Sequence, residues 1–496
     1  MASITYSDFS GGLDLRKSAS VSDPNRLREL KNAYITDGKA IRKRPGLSLV
    51  ADFAVEDAIT GTKGLVSGLG VLNTFYPYTV SPPVHSNTEF KANPLEHTTG
   101  APYGQPLTKV HQGDVFANVL PAATPPEQPP YVYVAVEYQD GEIFHYYIDG
   151  TSPNLVTDST KPYTPKSKVF AKQQSRIFVP DSNVLQFCAL ENCRDWSDTT
   201  TDSGASYVPV GLKSRGSDRV IGVGQYDGNM AVFFSDGVQT WGVDEAYTNN
   251  QFLKYVPGVG TNWPKTPIAF AGDLLFLSKS GFRSITTQSY TTNLQDSDVG
   301  SPIDSLVRAE VGDATDPLAE YFSGMNQYWC SYTLASGNTR VWVYTYSRSD
   351  KISAWSKYEY GMAFDALTSH KGYLYARSGE KVFRVDETDS VFDDNGQTYE
   401  MRVDFPFLNF KTPGVLKHIK AIDLVVDGTV DVQFKYDPND ETKLTDPITV
   451  SGNTRTTQTI PLEITVPSLA PVFTSNTNAN VEINSISFYY DNLGVF

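Results

Sequence analysis

Ala231-Val232-Phe233-Phe234-Ser235-Asp236-Gly237-Val238-Gln239-Thr240-Trp241-Gly242-Val243-Asp244 reads as a β-hairpin: apolar residues, a polar turn containing glycine, then residues of strand type again. The same grammar recurs at 177–190, 274–286 and 373–386, with successive starts 54, 43 and 99 residues apart. The last gap is two steps, because 341–346 followed by 355–358 supplies a further hairpin at the fitting position. Hairpin repeats of about 40 to 50 residues are the sequence mark of a β-propeller. At roughly 45 residues per repeat, residues 131–395 predict about five to seven blades.

Composition supports a mainly β chain. The 496 residues hold 29 Tyr and 26 Phe but only 5 Met, and aromatic and β-branched side chains suit a pleated, half-buried surface. The length excludes one small core and admits several domains or one large β-array with insertions. Four regions follow. Residues 1–50 form an N-terminal arm docking on the propeller or a neighbour, and residues 51–130 hold the first strands plus an irregular Pro-rich insertion. Residues 131–395 form the propeller, with a short helical excursion near 301–322, and residues 396–496 form a C-terminal β-sandwich-like domain.

Within the arm, Asp23-Pro24 predicts a cap and first turn, hence a two-turn helix through Leu30. In the excursion, Ser301-Pro302 and Asp316-Pro317 predict two more short helices. Eleven of the 30 prolines fall between Pro77 and Pro130, which argues against a central strand there. Asp427-Gly428, flanked by alternating apolar residues, predicts a hairpin turn in the C-terminal region.

The formal net charge is −15, against any tight grip on nucleic acid through released counterions. The first 44 residues run the other way, with nine Lys and Arg against five Asp and Glu. Lys39, Arg42, Lys43 and Arg44 are therefore the candidate partner-contact residues. No apolar run reaches the roughly 18 to 20 residues of a membrane span, and the start lacks a secretory pattern. The expectation is a chain made in a cytoplasm with no stable membrane insertion.

Chemical motifs are absent or defective. The six histidines have no short ligand spacing, no nucleophile elbow or phosphate loop occurs, and Cys188, Cys193 and Cys330 read as buried thiols. Asp296-Ser297-Asp298 resembles a fragment of a calcium loop but lacks the downstream glutamate. Ser235-Asp236-Gly237 resembles the Asp-box turn of sialidase-type propellers, with Ser and Asp adjacent where that turn separates them. No catalytic residue, cofactor or metal site is expected, and the chain reads as a non-enzyme.

Asp8-Phe9-Ser10-Gly11-Gly12-Leu13, Asn32-Ala33-Tyr34-Ile35-Thr36-Asp37-Gly38 and Arg42-Lys43-Arg44-Pro45-Gly46 together resemble the N-terminal arm of the tail nozzle proteins of short-tailed bacteriophages. That family is also called tail hub or packaged-DNA stabilisation protein. The resemblance continues in order through 218–224, 281–285, the excursion from Pro302 to Phe322 and Val343-Tyr344 with Trp355-Ser356. It implies a structural virion protein, with six copies forming a tube below the portal and adaptor that retains packaged DNA and conducts it during ejection. Implied partners are further copies of the chain in a hexamer, the head-to-tail adaptor protein, tail fibres or tailspikes, and double-stranded DNA in non-specific passage. The implied location is the virion tail, after synthesis in the host cytoplasm. On this reading the arm reaches a neighbour or the adaptor, and its removal leaves the propeller folded. The alternative is a propeller-type glycosidase or sugar-binding tail component acting on the host surface.

Overall fold

The structure, a computed structural model, describes residues 2–495 apart from 57–58, 79–87, 99, 118–129, 150–151, 157–164, 215–217, 286–297 and 387–389. It is mainly β, and six small sheets are arranged as a six-bladed β-propeller. Blade one is Lys63–Gly68, Val71–Pro77 and Phe90–Leu95; blade two is Leu107–Ala117, Pro130–Tyr138, Ile143–Ile148 and Pro153–Leu155. Blade three runs Ala171–Gln173, Arg176–Asp181, Val184–Phe187 and Ser206–Val208, and blade four Gly222–Tyr226, Asn229–Phe234, Gly237–Gly242 and Gln251–Pro257. Blade five is Ile268–Phe270, Asp273–Ser278 and Gly281–Ser284. Blade six is Ala366–His370, Tyr373–Ser378 and Lys381–Val385, completed by Leu47–Asp52 from the start of the chain.

The four hairpins read from sequence are the second and third strands of blades three, four, five and six. The double step between the last two is occupied by Thr315–Phe322, Gln327–Thr333, Thr339–Ser347 and Ile352–Tyr360, four antiparallel strands at one end of a 14-stranded sheet. Their first strand packs against the first strands of blades five and six, so this end of the large sheet is seated on both. Blades two and three meet through Gln112, whose side chain donates to the carbonyl of Phe170 at 2.8 Å and accepts from its amide at 2.9 Å.

Beyond Ile352–Tyr360 the large sheet takes up Glu29–Lys31, then Met401–Asp404, Ala470–Ser475, Val415–Lys435, Glu482–Val495, Ile41–Lys43 and Ala33–Ile35. Ala2–Tyr6 adds to Glu482–Val495, and Ile448–Asn453 and Ile460–Val466 add to Val415–Lys435. One apolar core runs through it all. Phe9, Leu13, Leu27 and Leu30 of the N-terminal segment pack in the same cluster as Phe282 of blade five, Trp355, and Leu424, Phe434 and Phe488 of the C-terminal strands.

Four local expectations are corrected. Asp23–Leu30 is not a helix: Leu27 and Leu30 are wholly buried in the short strands Arg26–Leu27 and Glu29–Lys31, and strand pairing overrides the capping signal. Of the two excursion helices, one forms as Asp304–Glu310, whereas Thr315–Phe322 is the ring-facing strand just described, with Asp316 at φ +49° beside a register shift. The Pro77–Pro130 stretch contains two blade strands. Leu107–Ala117 is free of proline, and Pro94 lies in Phe90–Leu95 at a sheet edge, where a missing N–H is tolerated. The proline-rich parts at 79–87 and 118–129 lie outside the described residues.

Asp427-Gly428 is no hairpin turn either, because Val415–Lys435 runs through it as one strand of 21 residues. Gly428 sits at φ +86°, and a Cβ there would run into the carbonyl of Asn480. At this point the strand changes partner, leaving Glu482–Val495 at Asp427 and joining Ala470–Ser475 at Asp431. A strand that bends and switches neighbours is how a sheet turns a corner over a shared core.

Candidate partner-contact site

The N-terminal segment is threaded between the propeller and the C-terminal strands. Glu29–Lys31 lies between Ile352–Tyr360 on one side and Met401–Asp404 on the other. The next residue, Asn32, takes φ +52°, which turns the chain so that Ala33–Ile35 joins the opposite end of the large sheet. Asparagine tolerates this conformation better than most residues. Its side chain fixes three segments at once: the amide donates to the Glu400 carbonyl at 2.7 Å, and its oxygen accepts from Arg44 at 3.0 Å and from the Glu359 amide at 2.9 Å.

The residues around it are held as closely. Phe9 is buried edge-on against Phe405, with ring centroids 5.4 Å apart. Gly12, at φ +55°, has the backbone of Ala354 where a side chain would be. Asp14 is ion-paired with both Arg16 and Arg26. Gly46 donates to the Val391 carbonyl at 2.8 Å, and a Cβ there would strike the Asp393 carbonyl.

The four candidate cations divide by burial. Arg44 is wholly buried. Its guanidinium lies 3.6 Å from the ring centroid of Tyr399 and 4.0 Å from that of Tyr360, pairs with Asp394 at 2.6 Å, and donates to the Glu359 carbonyl at 3.2 Å. Burial works against its charge, but Tyr360, Asp394 and Tyr399 more than offset this and raise its pKa. Lys43 is buried too, donating to the Thr477 carbonyl over the Tyr399 ring; burial and the adjacent Arg44 charge lower its pKa to about 8. Arg42 faces the other way, half-buried, with Asn480 at 3.2 Å and Glu482 at 3.6 Å. Lys39, in the turn before the strand, reaches Asp8 at 3.5 Å. Arg44 and Lys43 therefore hold this chain together, and Lys39 and Arg42 are the members of the cluster whose side chains stay partly exposed.

The remaining motifs have local structural roles. Ser235-Asp236 forms the tight turn between the second and third strands of blade four, with the Asp236 carbonyl accepting from Gly258 at 2.9 Å. Asp298 pairs with Arg283 at 3.1 Å, while Asp296 and Ser297 lie outside the described residues. Among the described residues no cluster of His, Cys, Asp and Glu is arranged to hold a metal. All three cysteines are buried, and burial pushes the Cys188 thiol up to about 12.

A second charged group was not legible in sequence. At the propeller axis, blade two contributes Lys109, His111 and Glu137, the approach to blade three Lys168, the approach to blade five Lys265, and the strand Thr315–Phe322 Asp316. These residues come from five separated segments, and only ring closure unites them.

No family model matches the chain, and none of the curated proteins matches it. Among solved structures it is similar to BBS1N in complex with ARL6DN, soaked with lead, at 13% identity and TM-score 0.24, covering 72% of this chain and 79% of that one. It is likewise similar to YCF48 bound to D1 peptide, at 12% identity and TM-score 0.30, covering 52% of this chain and 75% of that one. Likenesses this distant say nothing about activity or partners.

Proposed function

We propose that the chain is a structural subunit of the tail nozzle of a short-tailed bacteriophage, one of six copies in a ring below the portal and adaptor. The observation that carries the reading is where the matching residues lie. Phe9, Gly12, Asn32, Arg44 and Gly46, which bear the resemblance, form the seam between propeller and C-terminal strands. Their contacts are packing and hydrogen bonds within the chain, which suits a part whose task is to keep two bodies in fixed relation. A closed ring repeats one heterologous interface about its axis, and rigid subunits let that repeat close.

The acidic composition belongs to the same reading. A net charge of −15 repels duplex phosphates, so DNA passes without the counterion release that would trap it. Lys39 and Arg42 are the candidates for contact with the neighbouring copy or the head-to-tail adaptor, and tail fibres or tailspikes would attach outside the tube. The test is electron microscopy of virus particles labelled with an antibody against this chain, alongside particles made without it. Label at the single tail vertex and loss of DNA from deficient particles are expected. Particles that carry no label and keep their DNA would overturn the reading.

A further inference from the structure

The axial group is unbalanced in charge. Glu137 is taken by His111 at 2.6 Å and by Lys168 at 3.1 Å, and Asp316 is paired with Lys109. Lys265 is left over: among the described residues no carboxylate stands within ion-pair distance of it, and the charges of Lys109 and Lys168 act on it. Like charges gathered at a half-buried position repel unless an anion lies between them or one gives up its proton. The groups facing Lys265 bear this out. Burial first, then Lys109, bring its pKa down to about 7 against the pull of Asp316, with Lys168 adding a smaller push in the same direction as Lys109, and burial with Lys265 brings His111 down to about 4 despite Glu137.

Space adjoins these charges. A cavity of about 240 Å³ is lined by His111, Lys168, Trp263, Lys265 and Asp316, next to another of about 200 Å³ that continues along the axis past Glu320. Lys168 and Lys265 reach it from two different segments, and Lys109 is paired with Asp316 at its wall, whereas a solvated basic face would spread its charges apart.

We propose that this axial cavity binds a small oxyanion of the phosphate or sulfate class, held by Lys265 together with Lys168. One tetrahedral anion supplies what the cluster lacks, oxygen acceptors within reach of both ammonium groups at once. The space takes a single phosphate group and excludes a duplex, so the source is either the free anion or a terminal phosphate on a strand. The inference stands apart from the nozzle reading, since it uses none of the arm residues.

Calorimetric titration of the full chain with inorganic phosphate at pH 7 and low salt tests it. Saturable binding of one anion per chain is expected, weakened at least tenfold in Lys265→Met and unchanged in Lys166→Met, whose lysine is exposed and paired with Glu142 nearby. No saturable binding, or equal binding by Lys265→Met, would overturn the proposal. Should Lys265→Met not fold, NMR titration of the wild-type lysine side chains decides: phosphate should raise the Lys265 pKa toward that of an ordinary lysine, and an unmoved pKa refutes the site. A short single-stranded oligonucleotide with a terminal phosphate separates the sources. Competition with inorganic phosphate assigns a strand end as ligand, and its absence assigns the free anion.

Discussion

The cations of the N-terminal seam and those of the propeller axis are opposite cases of charge placement. Lys39, Arg42, Lys43 and Arg44 are neighbours in sequence, yet the fold sends Arg44 and Lys43 into the interior and supplies each with acceptors. Lys109, Lys168 and Lys265 are far apart in sequence, yet the ring brings them together with one acceptor group too few. A run of charge in sequence is a poor guide to a surface where the chain threads through the interior and finds acceptors there. A ring of blades gathers whatever its inner strands carry, and that convergence has no sequence signature.

The largest expected effect breaks the first half of this contrast. Because Glu29–Lys31 is a central strand and Leu47–Asp52 is led into blade six by the residues before it, deleting residues 1–46 should abolish folding of the whole chain. Circular dichroism and limited proteolysis of the truncated protein should show no stable propeller. A soluble, cooperatively folding product would mean that the segment is the removable arm its charge suggested.

Next in size is the buried ion pair itself. Asp394→Asn leaves the Arg44 guanidinium in the interior without its carboxylate, and removal of one partner of a buried pair costs about 3–5 kcal/mol. Urea unfolding of this variant beside Arg42→Ala measures the gap between the buried and the outward cation. Similar losses for the two would erase the distinction drawn between them.

A neutral buried group gives a third measure. His145 accepts from the Tyr133 hydroxyl at 2.9 Å and donates to the Ser167 carbonyl at 2.7 Å, and burial brings its pKa down to about 4 from the ordinary 6.5. Between those values the unfolded chain takes up a proton that the folded chain refuses. Stability should therefore fall as pH drops from about 6.5 to 4, by about 3 kcal/mol from this residue, and flatten outside that window. Urea unfolding across the range should show a shallower slope for His145→Gln, and an identical slope would refute the assignment. Smaller again, Gly428→Ala should cost about 1–3 kcal/mol, because alanine is strained at φ +86° and meets the Asn480 carbonyl. An unchanged unfolding midpoint would mean the bend relaxes freely.

These cases also explain which parts of the molecule were legible in sequence. The hairpins at 177–190, 231–244, 274–286 and 373–386 were readable because a two-strand unit with a tight turn is decided by neighbours in sequence. Asp23-Pro24, Asp316-Pro317 and Asp427-Gly428 misled because each is a good local signal overruled by pairing with strands distant in sequence or, at Asp316, by its strand's packing against blades five and six. The basic cluster was visible but its burial was not, since Asp394 and Tyr399 lie some 350 residues from Arg44. The axial lysines were silent in sequence for the converse reason.

The smallest effect on stability sharpens the comparison most. Lys39 and Arg42 make long ion pairs, 3.5 Å to Asp8 and 3.6 Å to Glu482, at partly exposed positions, and such pairs contribute about 0–1 kcal/mol. Lys39→Glu with Arg42→Gln should therefore leave the unfolding midpoint nearly unchanged. If these two partly exposed cations touch a neighbouring copy, the same double variant should fail to form the ring, seen as loss of the hexamer by native mass spectrometry, while Lys265→Met assembles normally. Assembly unaffected by the double variant would leave the whole cluster with an internal role, and the contact between copies would then have to lie on the blades.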